Sequence, residues 1–131
     1  MKEESFDTFA SADEIRKGIK DEQRVLYSPD GKRMLGTAHM GITSYKIKPG
    51  TEVICDRALC FQWYLESVYI PDSVIAIGKH VFHACNSLSS IYIPKGTKAK
   101  FELLLPEYKE KLIELKKKCI VWLFDIIIVS L

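Results

Sequence analysis

His80-x-x-His83-x-Cys85 comes nearest to a reaction centre, because imidazole and thiolate both bind zinc and three such groups fall within six residues. A metal needs its ligands to converge. In the repeating apolar pattern described below, positions 80 and 83 are outward sites, whereas Cys85 occupies a core position facing the other way. The spacing therefore predicts no metal site, and no cofactor is expected. Nucleophilic chemistry finds no better footing, since the chain has no Gly-x-Ser-x-Gly, no glycine-rich phosphate loop and no His-Glu-x-x-His. Ser87, Ser89 and Ser90 read as small polar turn and strand residues. With the parts of an active site missing, the chain is read as a protein that is not an enzyme.

The bulk numbers narrow the partners. The 131 residues are 47% hydrophobic and 27% charged, the composition of one ordinary folded domain, and the net charge is only +2. Lys and Arg are spread along the chain rather than clustered, so no nucleic-acid partner is expected. Cys55, Cys60, Cys85 and Cys119 have spacings of 5, 25 and 34, which match neither a zinc pair nor a dense disulfide framework. Reduced thiols are the default. The acidic N-terminal residues lack the apolar core of a secretory signal, which predicts a cytoplasmic chain.

The elements that would position these residues announce themselves by repetition. Sliding the sequence by 23 residues lays Leu65 on Leu88, Ser67 on Ser90, Tyr69 on Tyr92 and Ile70-Pro71 on Ile93-Pro94. The opposite slide lays Ile42 on Leu65, Ser44 on Ser67, Ile47 on Ile70 and Ile54 on Ile77. A fixed period of this length predicts stacked copies, because one copy cannot bury its own apolar face. In the best copy the inward set is Leu65, Val68, Ile70, Val74, Ile77, Val81 and Phe82, with Cys85 in the same layer. Alternation across Val68-x-Ile70 marks a short strand with Ser67 and Tyr69 outward, and Pro71 ends it.

The expected organisation is an N-terminal cap region at 1–24, a hairpin and loop at 25–41, repeats at 42–96, a C-terminal helical cap at 97–118 and an apolar tail at 119–131. Ser11 followed by Glu14 predicts a capped helix from Ala12 to Lys20 with Ile15 and Ile19 on one face. Pro29-Asp30-Gly31 between two apolar runs predicts a hairpin turn. Thr97 is read as the cap of a helix running to Leu105, and Pro106 as the start of a second helix ending at Lys116 to Lys118, with Tyr108, Leu112 and Leu115 on one face. The tail is too short for a membrane span and is interrupted by Asp125; it is read as a β-rich segment that pairs with something.

The pattern Leu-x-x-Val-x-Ile-Pro-x-x-Val-x-x-Ile-Gly-x-x-x-Phe-x-x-Cys, running from Leu65 to Cys85, resembles the leucine-rich repeats of the BspA-like class of gut and oral Bacteroidetes and some protists. That resemblance implies an α+β fold, a short leucine-rich-repeat solenoid with helical N- and C-terminal caps, and cell-surface display in longer relatives. The first copy departs from the pattern, with Cys55 for Gly, Leu59 for Phe and Gln62 for Cys. It is expected to be the irregular copy, with Phe61, Trp63 and Tyr64 refilling the gap. Function is then sought on the strand face, where Ser44, Ser67 and Ser90 form one ladder and Lys46, Tyr69 and Tyr92 another. Exposed tyrosines favour protein contact, although cross-strand pairing also accounts for them. The expected role is a non-catalytic, adhesive or protein-binding module with an unknown protein partner. The alternative is a structural protein that forms a homo-oligomer through its tail or its open edges.

Overall fold

The computed structural model describes residues 7–116. Ser11 starts the first helix, α1 (Ala12–Lys17), its side-chain oxygen accepting a hydrogen bond from the Glu14 N–H at 3.1 Å. Asp13 and Glu14 in the first turn and Arg16 and Lys17 in the last suit the helix dipole. Glu14 does not turn back to complete the capping box. Its carboxylate takes Arg33 Nε at 2.6 Å, and Arg33 also donates to the Phe9 carbonyl at 3.0 Å, pinning this segment to the next element. The helix ends at Gly18, so Ile19 leaves the face it was expected to share with Ile15 and enters strand β1 (Ile19–Lys20).

Strand β1 pairs antiparallel with β2 (Val25–Tyr27), which turns at Pro29-Asp30-Gly31 into β3 (Arg33–Thr37). Gly31 takes a φ of +76°, and the Asp30 carboxylate accepts from Lys32 N–H at 3.0 Å and the Ser28 hydroxyl at 2.7 Å. Those bonds close the turn. Strand β3 pairs in parallel with β5 (Val53–Ile54), and β5 with β7 (Ala76–Ile77), giving a five-stranded mixed sheet ordered β1-β2-β3-β5-β7. A second sheet, all parallel, is ordered β4-β6-β8-β9 from β4 (Ser44–Lys46), β6 (Ser67–Tyr69), β8 (Ser90–Ile93) and β9 (Leu112–Glu114).

The core lies between the sheets. Val25, Tyr27, Met34 and Ile54 from the first meet Tyr45, Val68, Ile91 and Leu112 from the second, all buried in one cluster with Leu65, Ile70, Val74 and Phe101. The 23-residue spacing appears here as strand register. Ser44 sits beside Ser67 and Ser67 beside Ser90, while Val53 sits beside Ala76. Backbone conformation repeats at the same step: φ is +60° at Arg57 and +57° at His80, and +63° at Phe61 and +61° at Ala84.

This architecture corrects the expected fold class. The chain is a small α/β protein with two sheets and three helical segments among the described residues, not an α+β leucine-rich-repeat solenoid with a helical cap at each end. Two physical facts decide it. At the N-terminal side, α1 buries no residue and so shields no core; antiparallel strands β1 and β2 carry the sheet onward instead. At the C-terminal side, α2 (Lys98–Leu104) and a six-residue 3-10 helix (Pro106–Lys111) give way to β9, which pairs with β8 where a continuous helix was expected. Thr97 does not cap α2 through its side chain, since its hydroxyl donates to the Pro94 carbonyl at 2.6 Å. Lys117, Lys118 and the tail 119–131 lie outside the described residues. Among those described, no helix is long and apolar enough to cross a membrane.

The first copy fills its own core without the three aromatics. Cys55 and Leu59 are fully buried, and Gln62, buried as well, donates from Nε2 to Thr37 Oγ1 at 3.0 Å and to the His39 carbonyl at 2.7 Å. Phe61, Trp63 and Tyr64 stand outside, 46%, 48% and 60% exposed, which corrects the expectation that they refill a gap. Phe61 has a φ of +63°, and its ring meets that of His83 edge to face.

Candidate binding surface

The parallel sheet brings the strand-face residues together as two ladders. Ser44, Ser67 and Ser90 are register partners, and so are Lys46, Tyr69 and Tyr92, with Ile113 of β9 beside Tyr92. Alternation along each strand sends Tyr45, Val68 and Ile91 into the core and these residues to the opposite face. Ser44 and Ile113 are exposed, whereas Lys46, Ser67, Ser90 and Tyr92 are half-buried.

Tyr69 does not offer the exposed ring that was expected of it. It is 1% exposed and packs with Tyr92 and Leu115 in a small cluster of its own. The covering group is Leu115, whose N–H donates to the Ile93 carbonyl at 2.8 Å just beyond β9. Read as a helix residue, Leu115 shared a face with Tyr108 and Leu112; as the residue following a strand, it lies on the strand face against Tyr69. Burial pushes the Tyr69 hydroxyl up to about 12, and the Asp72 carboxylate adds to the shift. The apolar centre of this face is therefore Tyr92 and Ile113 over a fixed Tyr69–Leu115 base.

Behind β4 the support is polar. Tyr27 and Tyr45 share a hydroxyl–hydroxyl hydrogen bond of 2.6 Å, Tyr45 donates to Asp21 Oδ2 at 2.5 Å, and Lys48 N–H donates to the Tyr27 oxygen at 3.2 Å. Burial raises both hydroxyls, that of Tyr27 to about 12 despite its bonds to Tyr45 and Lys48. Asp21 also accepts from the N–H groups of Gln23 and Val25, both at 2.9 Å. This chain of bonds ties the loop before β2 to the end strand of the parallel sheet. A cleft runs beside it, lined by Glu22, Gln23, Thr43 and Pro49. Nothing in the sequence reading pointed to this pair of tyrosines, because their partnership depends on strands from different sheets facing each other across the core.

The histidine cluster has a different geometry from a ligand set. The His80 and His83 rings meet edge to face with centroids 5.8 Å apart, and His83 meets Phe61 in the same way at 5.5 Å. Cys85 points elsewhere, its thiol donating to the Leu59 carbonyl at 3.1 Å. Among the described residues, no group of three or more His, Cys, Asp and Glu side chains is placed to hold a metal ion.

Comparison of the chain with protein-family models, with curated proteins and with solved structures finds no match.

Proposed function

We propose that the outer face of the parallel sheet is a protein-binding surface, used for contact rather than catalysis. The observation that carries this reading is the register-locked double ladder of Ser44, Ser67 and Ser90 beside Lys46, Tyr69 and Tyr92, extended by exposed Ile113. The opposite face of the same strands is core, so the ladder is held rigid and little order is lost when a partner docks. A tyrosine and an isoleucine flanked on one side by a row of serines combine the apolar centre and polar margin of a protein interface. The likeness of the Leu65–Cys85 segment to BspA-like repeats supports the same reading, since contact is what that family is used for. Strands this short cover only part of the roughly 800 Å² that a standard interface takes from each partner. Flanking loops complete the footprint.

A second reading, self-assembly, is favoured by the sheet order alone: β4 and β9 are the end strands of an all-parallel sheet among the described residues. An edge strand is a template for another chain. One experiment separates the two. A photo-reactive residue is placed at Ser44 or Tyr92, and at Asp30 on the hairpin turn as a control, in the full chain in its source cells. A distinct protein cross-linked from positions 44 and 92 but not from 30, and bound at least tenfold more weakly in purified form by Tyr92→Ser, supports the strand face. Adducts only between copies of the chain refute that reading and establish self-assembly.

A further inference from the structure

We propose that Cys60 and Cys85 are an oxidisable dithiol, closing to a disulfide that ties the turn at 59–62 to the turn one copy further along. The geometry starts from the Cys85 thiol, which donates to the Leu59 carbonyl oxygen at 3.1 Å. In a trans peptide that oxygen lies about 2.8 Å from the next Cα, so the Cys85 sulfur sits within about 6 Å of the Cys60 Cα. The backbones are held side by side as well. Leu59 N–H donates to the Val81 carbonyl at 3.2 Å and Phe61 N–H to the His83 carbonyl at 2.8 Å, bracketing Cys60. Closure asks for a rotation about the Cys60 side chain and a shift of its turn that brings the two Cα atoms into the roughly 4.4 to 6.8 Å that disulfides span.

Accessibility distinguishes this pair from its neighbour. Cys60 and Cys85 are both half-buried free thiols, within reach of a small oxidant, whereas Cys55 is fully buried. Burial is the main cause that pushes the Cys85 thiol up, against a backbone hydrogen bond at Gln62 that lowers it. Burial also pushes the Cys55 thiol up, to about 11, and this residue stays out of the exchange.

With hydrogen peroxide as the oxidant, the reaction balances. Both S–H bonds break and one S–S bond forms; the two sulfurs together lose two electrons, and the peroxide O–O bond is cleaved to two waters that carry off the two protons. The thiol bond to the Leu59 carbonyl is given up. In return the turn carrying Phe61, Trp63 and Tyr64 becomes covalently fixed to the turn carrying His80 and His83. This proposal rests on the turns alone and is independent of the strand-face reading.

The test treats the folded full chain with stoichiometric peroxide and reads intact mass and an unreduced peptide map. The expected result is a monomer lighter by about 2 Da, from two hydrogens lost, with Cys60 linked to Cys85 in the map, reversal by a thiol reductant, and a higher urea midpoint than the reduced chain. Cys60→Ser and Cys85→Ser each abolish the mass loss, and Cys119→Ser does not. Circular dichroism confirms that the Cys60→Ser chain is folded, so its failure to oxidise cannot be blamed on unfolding. A link to Cys55 or Cys119, oxygen addition without a link, or only disulfide-joined dimers would overturn the proposal.

Discussion

Gly78→Ala is a one-carbon change with a large expected effect. A Cβ at position 78 would lie 2.3 Å from Asp56 Oδ1, 2.6 Å from Asp56 N and 2.9 Å from Asp56 Cα. Two of those atoms are backbone, so no rotamer change relieves the contact. Asp56 is held on three sides: its carboxylate accepts from Thr8 Oγ1 and Lys79 N–H, both at 2.8 Å, and its own N–H donates to the Thr8 carbonyl at 2.8 Å. Burial raises the Asp56 carboxyl, but the bonds from Lys79 and Thr8 outweigh it and hold the group below the usual range. Overpacking of this kind costs about 1–3 kcal/mol, and losing one bond to a charged carboxylate about 1.5 kcal/mol more. Alanine returns about 0.5–1 kcal/mol by restricting the unfolded chain. The net loss is about 1.5–4 kcal/mol, which at a urea dependence of about 2 kcal/mol per molar lowers the midpoint by roughly 0.75–2 M. Adding Asp56→Ala removes the 2.3 Å contact but leaves the two backbone ones, so rescue is partial. An unchanged midpoint for Gly78→Ala would refute the close approach, and with it the way the copies nest at this strand.

Two other outcomes test the surface and its support. Tyr69→Ser should destabilise the fold by about 3–4 kcal/mol and Tyr92→Ser by under about 1.5 kcal/mol, because only Tyr69 is fully covered; urea denaturation of both variants reverses the assignment if the order is reversed. Stability should also fall between pH 10 and about 12. The Tyr27 hydroxyl ionises near 10 in the unfolded chain and at about 12 in the folded one, so its stabilisation is complete below pH 10 and is lost as the pH climbs through that window, on the order of 2–3 kcal/mol. Tyr27→Phe, followed by thermal melts across the same range, should make the decline shallower but not abolish it, because burial also raises the Tyr69 and Tyr45 hydroxyls.

The parts legible in the sequence are those set by near neighbours. The period of 23 residues fixes which strands lie together, and the apolar alternation around Val68 and Ile91 fixes which side chains meet the core, because both depend on residues within one copy. The C-terminal strand was not legible. Leu112 and Leu115 stand three apart beside a run of lysines, which is also how a helix face is written, and only the edge of β8 makes the extended form preferable. The misreading carried through to the candidate site: with Leu115 assigned to a helix, nothing was left to cover Tyr69. Phe61 failed for a different reason. Apolar character argued for burial, whereas the ring lies 46% exposed, edge to face with His83 of the next copy, a contact that residues within one copy do not announce.

Arg57, Phe61, His80 and Ala84 all hold left-handed backbone conformations that cost a side-chain-bearing residue about 1 kcal/mol each. Glycine would relieve that cost, yet none of the four positions has it. Glycine's greater freedom in the unfolded chain takes back about 0.4–1 kcal/mol at each position, so the exchange is close to neutral. Because the conformation recurs at a fixed step while the residue changes from Arg to His and from Phe to Ala, the turns are interchangeable mounts. Charge, ring or methyl can be swapped on them without rebuilding the sheets beneath, and a designer wanting a differently decorated variant would begin there.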